Sequence, residues 1–285
     1  MVNSLRKVLI KHPRDAYINQ NKLNKESTKL NYLEIPDFKK ACSHYDNFIN
    51  ILKKFDCEIH YLPSDKEASI DSIYTHDPCL ISNKGAIFSR MGKKDRSKEP
   101  NLMESYLNSI GIPTLGKIKY PGTLEGGDIV WIEEKVIAVG EGYRSNAEGI
   151  NQLKSILGDL IDEIITVPLP HWTGKDDCLH LMSNLSPIDS DLFLVYSRLL
   201  PVSFRQFLLN KGITLIEVPE SEYLSMGCNV LALSPKKVLM IEGNPITEKR
   251  LIENGVEVFT YDGSEISLKG SGGPTCLTRP FLRTN

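Results

Sequence analysis

The chain has 285 residues and a formal net charge of −2, its 34 basic and 36 acidic side chains scattered along the length. That balance supplies no electrostatic footprint for nucleic acid, and no apolar stretch approaches the length that would cross a bilayer, so neither nucleic acid nor membrane is expected as a partner. Met1 to Pro13 runs straight into the strand-like Lys7-Val8-Leu9-Ile10 without the apolar region of a signal peptide, and the expectation is a cytoplasmic protein.

In chain order, one plan recurs five times. The first unit, Leu5 to Pro63, carries a strand, a long insertion and a helix with apolar Phe48, Ile49, Leu52 and Phe55. The insertion, Asp15 to Pro36, is rich in Asn and Lys and reads as a mobile surface loop, with a lid over a site as the alternative. From Asp77 to Tyr120, Glu125 to Pro168, His180 to Pro219 and Gly227 to Tyr261 the plan is a short apolar strand, a turn, a second strand, an amphipathic helix and a third strand. Gly85 to Arg90 and Lys135 to Gly140 form hairpins with the strands before them, across Ser82-Asn83-Lys84 and Glu133-Glu134. Helical spacing follows in Leu102, Met103, Tyr106, Leu107 and Ile110, again in Ile150, Leu153, Ile156, Leu157 and Leu160, and more briefly around Phe204 and Leu251. Ser145-Asn146-Ala147-Glu148 has the S-x-x-E form of a capping box and leaves Arg144 just outside the helix it begins. A period of roughly 45 to 50 residues marks a closed repeat array, in which no unit buries both faces of its sheet alone, so one domain over residues 1–285 is expected.

Chemically capable residues stand at the same phase of each unit. His76-Asp77 precedes one first strand, Glu125-Gly126-Gly127-Asp128 the next, His180 the next and Gly227-Cys228-Asn229 the last, while Cys276 falls about one more period along. Units arranged around an axis would direct these residues into one shared space. The six cysteines, at 42, 57, 79, 178, 228 and 276, include no CxxC pair and read as reduced thiols. Cys42 and Cys57 flank a helix, and Cys79 lies within an apolar strand, so all three suit packing.

Cys276 differs, because Lys269-Gly270-Ser271-Gly272-Gly273-Pro274-Thr275 is a glycine-rich approach whose amide N–H groups could steady a thiolate. A nucleophilic thiol needs an acid or base beside it, and His180 has the matching phase. Asp176 and Asp177 are read as capping or solvating the turn before it. Asp77 and Glu125, gathered in a closed space, would be costly to bury unless a cation joined them, and a planar guanidinium matches carboxylates in bidentate fashion. Asp128 reads instead as a structural acid satisfied by backbone amides. Arg90 and Arg144, at the end of a strand and the start of a helix, are candidates to grip a substrate carboxylate. No HExxH occurs and His171 with His180 lacks metal-ligand spacing, so no metal is expected. The terminal glycines do not open a helix after a strand, which excludes a dinucleotide fingerprint, and G-x-S-x-G is absent.

His76-Asp77-Pro78, Leu124-Glu125-Gly126-Gly127-Asp128, His180 and Gly272-Gly273-Pro274-Thr275-Cys276 together resemble the signature of the guanidino-group modifying enzymes: dimethylargininases, arginine deiminases and amidinotransferases. The resemblance spans nearly the whole chain. It implies an α/β fold, the five-fold pseudosymmetric α/β propeller (pentein) of ββαβ units, with no cofactor. It further implies Cys276 as nucleophile, His180 as general acid and base, Asp77 and Glu125 as the guanidinium clamp, and Arg90 and Arg144 at the substrate carboxylate. Gly140 to Gly149 is particularly similar to the dimethylargininase segment. Deiminases and amidinotransferases usually carry an acid two residues after the histidine, where this chain has Met182, so the comparison leans to the dimethylargininases. His76 stands where those enzymes have an acid before Asp77. The expected activity is cysteine-dependent hydrolysis of a guanidino C–N bond of a dimethylarginine-like arginine derivative, through a covalent amidino-cysteine intermediate, to a ureido product and an amine. The alternatives are an amidinotransferase passing the amidino group to an acceptor amine and a non-catalytic binding protein of the same fold. A homodimer is left open as the assembly.

Overall fold

The computed structural model describes residues 2–175 and 179–284, so Asp176, Asp177 and Cys178 lie outside the described residues. The first unit contributes β1 (Ser4–Ile10) and β2 (Glu58–Tyr61). The second holds β3 (Cys79–Ser82), β4 (Gly85–Phe88) and β5 (Thr114–Lys117), and the third β6 (Ile129–Glu133), β7 (Val136–Glu141) and β8 (Glu163–Pro168). The fourth holds β9 (Leu185–Asp189), β10 (Leu192–Val195) and β11 (Thr214–Glu217), the fifth β12 (Leu231–Ser234), β13 (Lys237–Ile241) and β14 (Glu257–Tyr261), and β15 (Arg279–Thr284) ends the chain.

In units two to five, the first two strands pair antiparallel across a tight turn, with Ser82 opposite Gly85 and Glu133 opposite Val136. The third strand then lies parallel to the second, which requires a crossover. The helices Glu99–Ser109, Ala147–Leu157, Val202–Asn210 and Pro245–Glu253 supply it. The middle strands are covered on both faces, and Gly85-Ala86-Ile87-Phe88 and Leu192-Phe193-Leu194-Val195 are buried at every position. The first unit has no first strand of its own. β15 takes that place, antiparallel to β1 with Leu9 opposite Arg279, so the two ends of the chain share one sheet.

Apolar packing joins the five sheets into a ring. Leu9 and Leu62 of the first unit pack with Phe88 and Met103 of the second, and Leu80 and Ile87 of the second with Ile137 and Leu153 of the third. Val130 and Ala138 meet Phe193 and Phe204 of the fourth unit, whose Leu194 and Ile216 meet Val238 and Met240 of the fifth. Leu239 and Tyr261 then close on Val8 and Phe48 of the first. Each sheet thus buries its outer faces only against two neighbours, the physical reason for repetition. The first strands β3, β6, β9, β12 and β15 all line one central cavity, and this is the five-bladed α/β propeller.

Three local expectations are corrected. Asp15 to Pro36 is not a loop: helices Pro13–Ala16 and Gln20–Glu26 form there, capped by His12 and Asn19, and Tyr17, Leu23 and Leu30 are buried. Their spacing among Asn and Lys is too wide to read as a helical stripe. Asn146, not Ser145, caps the helix Ala147–Leu157, its side chain accepting from the Gly149 N–H at 2.8 Å. Ser145 is drawn inward by the acids described below. Cys42 lies within the helix Phe38–Lys53 rather than flanking it.

Candidate active site

The residues that share a phase meet at the end of the ring where the first strands begin. Glu125 leads into a turn, Gly126-Gly127-Asp128, that presses against the second unit: the Gly126 N–H donates to the Asp77 carbonyl at 2.9 Å and the Gly127 N–H to Asp77 Oδ1 at 3.0 Å. Glycine is required by this approach. A Cβ on Gly127 would overlap Nδ1 of His180 and stand 2.9 Å from Asp77 Oδ1. His180 itself precedes a single helical turn, Leu181–Asn184, and its ring lies between the two acids. Nε2 is 2.8 Å from Glu125 Oε2 and Nδ1 is 3.8 Å from Asp77 Oδ1.

Glu125 is fully buried and fully engaged. Oε1 accepts from the backbone N–H groups of Gly92 and Lys93 at 2.9 and 3.1 Å, while Oε2 accepts from Arg144 Nη1 at 2.9 Å as well as from His180. Burial would raise this carboxyl, but Arg144 and the hydrogen bond from His180 outweigh it and hold Glu125 far below the usual range. Asp77 Oδ2 accepts from Arg96 Nη1 at 2.5 Å. Here too burial is outweighed, by His180 and Arg96, and the carboxyl sits below its ordinary value. Arg96 continues to Glu99 with Nε and Nη2 and to the Tyr74 carbonyl with Nη2. Glu99 is pushed up to about 7 by burial, against the pull of Arg96. Asp128 accepts from the Leu181 N–H at 3.0 Å and from Ser145 Oγ at 2.6 Å, the backbone-satisfied acid expected, and burial raises it to about 6. Ser145 Oγ in turn accepts from the Glu125 N–H.

Cys276 reaches this cluster through the backbone. Its carbonyl accepts from the N–H of His76, the residue before Asp77, at 3.2 Å. Its Sγ lies 3.4 Å from Nδ2 of Asn229, whose Oδ1 accepts from the Thr275 N–H. The glycines before it serve close packing more than amide exposure. A Cβ on Gly272 would overlap the Tyr74 ring and one on Gly273 would stand 2.5 Å from Asn229 Oδ1, while the N–H of Gly272 is already given to the Ser267 carbonyl. Tyr32, from the insertion, packs over Gly270 and so covers this loop.

The structure therefore brings Asp77, Glu125 and His180 together, with donor atoms all within 4.8 Å of one another, and places Cys276 beside the segment that carries Asp77. Three such donors could hold a metal ion, and each acid also carries an internal guanidinium, Arg96 on Asp77 and Arg144 on Glu125. Arg144 is buried on Glu125. Arg90 stands apart at the rim, half-buried, with Nη1 on the Gly122 carbonyl and its guanidinium 5.3 Å from the centre of the exposed Tyr120 ring. Sequence reasoning missed Arg96 and Glu99, which lie in the charged run Lys93 to Glu99 and look like a solvated face. It also gave no role to Asn229, whose phase was the available signal.

A family model described as "Arginine deiminase" matches residues 69–207 and 199–283. The chain belongs to the arginine deiminase family. Dimethylarginine dimethylaminohydrolase of Pseudomonas aeruginosa is 29% identical over 252 residues, 88% of this chain and 92% of that protein. The enzyme of the same name from Streptomyces coelicolor is 29% identical over 210 residues, 73% of each chain. Among solved structures, a serine-for-cysteine mutant of the Pseudomonas aeruginosa enzyme complexed with citrulline superposes with a TM-score of 0.79 at 25% identity, covering 98% of this chain and all of that one. The N-terminal domain of the cyanobacterial arginine dihydrolase ArgZ gives a TM-score of 0.81 at 18% identity over 99% of this chain, a likeness of fold. The arginine deiminase family match begins after the first unit, so the helical insertion, Asp15 to Pro36, lies outside it.

Proposed function

We propose that this chain hydrolyses the guanidino C–N bond of an N-methylated arginine, releasing an amine and a ureido product. The observation that carries this reading is the contact of His180 Nε2 with an ionised, Arg144-bound Glu125, which leaves Nδ1 facing Asp77 at the point where the Cys276 segment arrives. The kinship with enzymes named for dimethylarginine supports the substrate class. In this reading the Cys276 thiolate adds to the guanidinium carbon, with Asp77 and Glu125 keeping the group charged and planar. The tetrahedral adduct collapses, the C–N bond breaks, and His180 protonates the departing amine. Water then adds to the amidino-cysteine while His180 takes its proton, the C–S bond breaks, and ureido product and free thiol result. Arg90, at the rim, holds the substrate carboxylate. Arg144 acts chiefly by keeping Glu125 ionised against His180, and Arg96 does the same for Asp77.

The test is a panel of dimethylarginine, arginine and an arginine-plus-acceptor-amine mixture, read for ureido product, ammonia and dimethylamine. Dimethylamine in equal amount with the ureido product is expected, together with an amidino adduct on Cys276 in mass spectrometry of quenched enzyme. Cys276→Ser should abolish turnover with the circular dichroism spectrum unchanged. Full activity in that variant, or product formed only with an acceptor amine, would overturn the hydrolytic cysteine mechanism.

A further inference from the structure

The catalytic cluster occupies one end of the ring, and a cavity of about 410 Å³ runs along the five first strands toward the other. His76 and Thr275 border it at the catalytic end, while exposed Asn83 and Glu134, from the β3–β4 and β6–β7 turns, mark its mouth on the far side. Most of the wall is apolar, including Ile129, Val130, Trp131, Leu231 and Ala232. Against that wall stands Arg279, the first residue of β15, only 5% exposed. Its Nε and Nη2 find no hydrogen-bond partner among the described residues.

A buried guanidinium with no hydrogen-bonded anion is a costly arrangement, and the nearby groups relieve it only in part, through the charge of Asp77. Both Asp77 oxygens are taken, by Arg96 and by Gly127. His76, its Nδ1 on the Thr278 carbonyl, is driven down to about 3 by burial and by Arg279, and so is neutral. Arg283 lies further along the same wall and gives Nη1 to the Asn3 carbonyl, so it adds charge of the same sign. Glu134 is the acid of the lining and sits at the solvent mouth. The two open donors of Arg279 are the Nε and Nη2 of one edge, the side of a guanidinium that grips a carboxylate with two parallel hydrogen bonds.

We infer that the central cavity is a second ligand site, which takes a small carboxylate with an apolar body, held side-on by Arg279 and distinct from the guanidino site formed by Asp77, Glu125 and His180. The apolar wall receives the body, and the Nε and Nη2 edge receives the head. Thr275 and His76 border both sites, adjoining Cys276 and Asp77 in sequence, so an occupant would touch the segments that carry the reaction.

The chain has two tryptophans, Trp131 in this wall and Trp172 outside it. In the full-length Trp172→Phe protein, Trp131 emission is followed while 3-methylbutanoate is added, with 3-methylbutanamide as the uncharged control and inorganic phosphate as a head group without a body. A saturable change with 3-methylbutanoate and none with the amide is expected, weakened at least about tenfold by Arg279→Gln, the loss of one bidentate contact. Ala232→Leu, which fills the cavity and leaves Arg279 in place, should abolish the same response and decides the matter should Arg279→Gln fail to fold. No saturation up to about 10 mM, beyond the millimolar range of weak specific sites, would sink the inference. So would a response to phosphate alone, or one lost in Arg90→Gln but kept in Arg279→Gln, which would place the carboxylate at the catalytic rim.

Discussion

Arg96→Met tests whether the acids of the site depend on an internal cation. Arg96 bonds Asp77 Oδ2 at 2.5 Å, both oxygens of Glu99 and the Tyr74 carbonyl, and all three charged side chains are buried. Removing one member of such a network strands the others, a loss of about 3–5 kcal/mol. For 285 residues the unfolding entropy is about 0.6 kcal/mol per kelvin, so the melting temperature should fall by about 5–8 °C. The loss has a pH signature. In the parent, Asp77 is held below its ordinary value, and a depressed carboxyl contributes stability above its unfolded value of about 4 that disappears as pH falls through the folded one. Without Arg96, Asp77 and Glu99 both rise. A raised carboxyl destabilises when it must ionise and costs nothing once protonated in both states. Glu99 already stands at about 7 with its partner present, so the deficit should grow from pH 5 to pH 8. Urea unfolding at both values measures it, and Arg96→Met with Glu99→Leu should recover part of the loss. A deficit under about 1 kcal/mol at pH 8, or an equal deficit at both pH values, would refute the network as described.

Gly127→Ala places a methyl group against His180 Nδ1 and Asp77 Oδ1, and kcat on dimethylarginine should fall at least about 100-fold through misplacement of the ring, with secondary structure kept by circular dichroism. Asn229→Ala removes the amide 3.4 Å from Cys276 Sγ, and kcat/KM should drop about tenfold, the worth of one hydrogen bond to a charged group; steady-state kinetics on a folded variant checks it. Gly149→Ala drives a Cβ into the Thr123 carbonyl, backbone against helix, and should cost about 1–3 kcal/mol by chemical denaturation while leaving KM unchanged.

The blade plan was legible because alternation, helical spacing and turns recurred at one interval, and recurrence makes each weak local signal support the others. The ring closure was only half legible. Cys276 fell on the expected phase, but that β15 would complete the first unit depends on pairing across nearly the whole chain, which no local pattern encodes. Arg96 and Glu99 escaped for a related reason. Within Lys93 to Glu99 several charges are chemically equivalent, and what selects Arg96 for the interior is Asp77, nineteen residues earlier and brought close only by the fold. Their i, i+3 spacing is a usable hint, since it lets one guanidinium fork meet one carboxylate on the same face. Ser145 and Asn146 illustrate a tie that sequence cannot break. Either could cap a helix, but Asp128 and the Glu125 N–H need a hydroxyl, so Ser145 turns inward and the cap passes to Asn146.

The same closure that completes the fold also positions the thiol. Cys276 lies three residues before β15, and the segment around it is held from several directions: Thr275 Oγ1 donates to the Val230 carbonyl of the fifth unit, and Tyr45 of the first-unit helix donates to the Leu277 carbonyl. Thr75 Oγ1 lies within hydrogen-bonding distance of both the Leu9 and Leu277 carbonyls, joining β1 to the same segment. Free energies of local opening fall toward chain ends, so β15 should fray first at Thr284. Between that end and Cys276 stand Leu277, Thr278 and Arg279, all buried, which separates the last residues of the strand from Cys276. A last strand that merely covered an edge would let fraying reach the site; one that fills a vacant place in the first sheet does not, and backbone pairing keeps the Cys276 segment beside the one that carries Asp77.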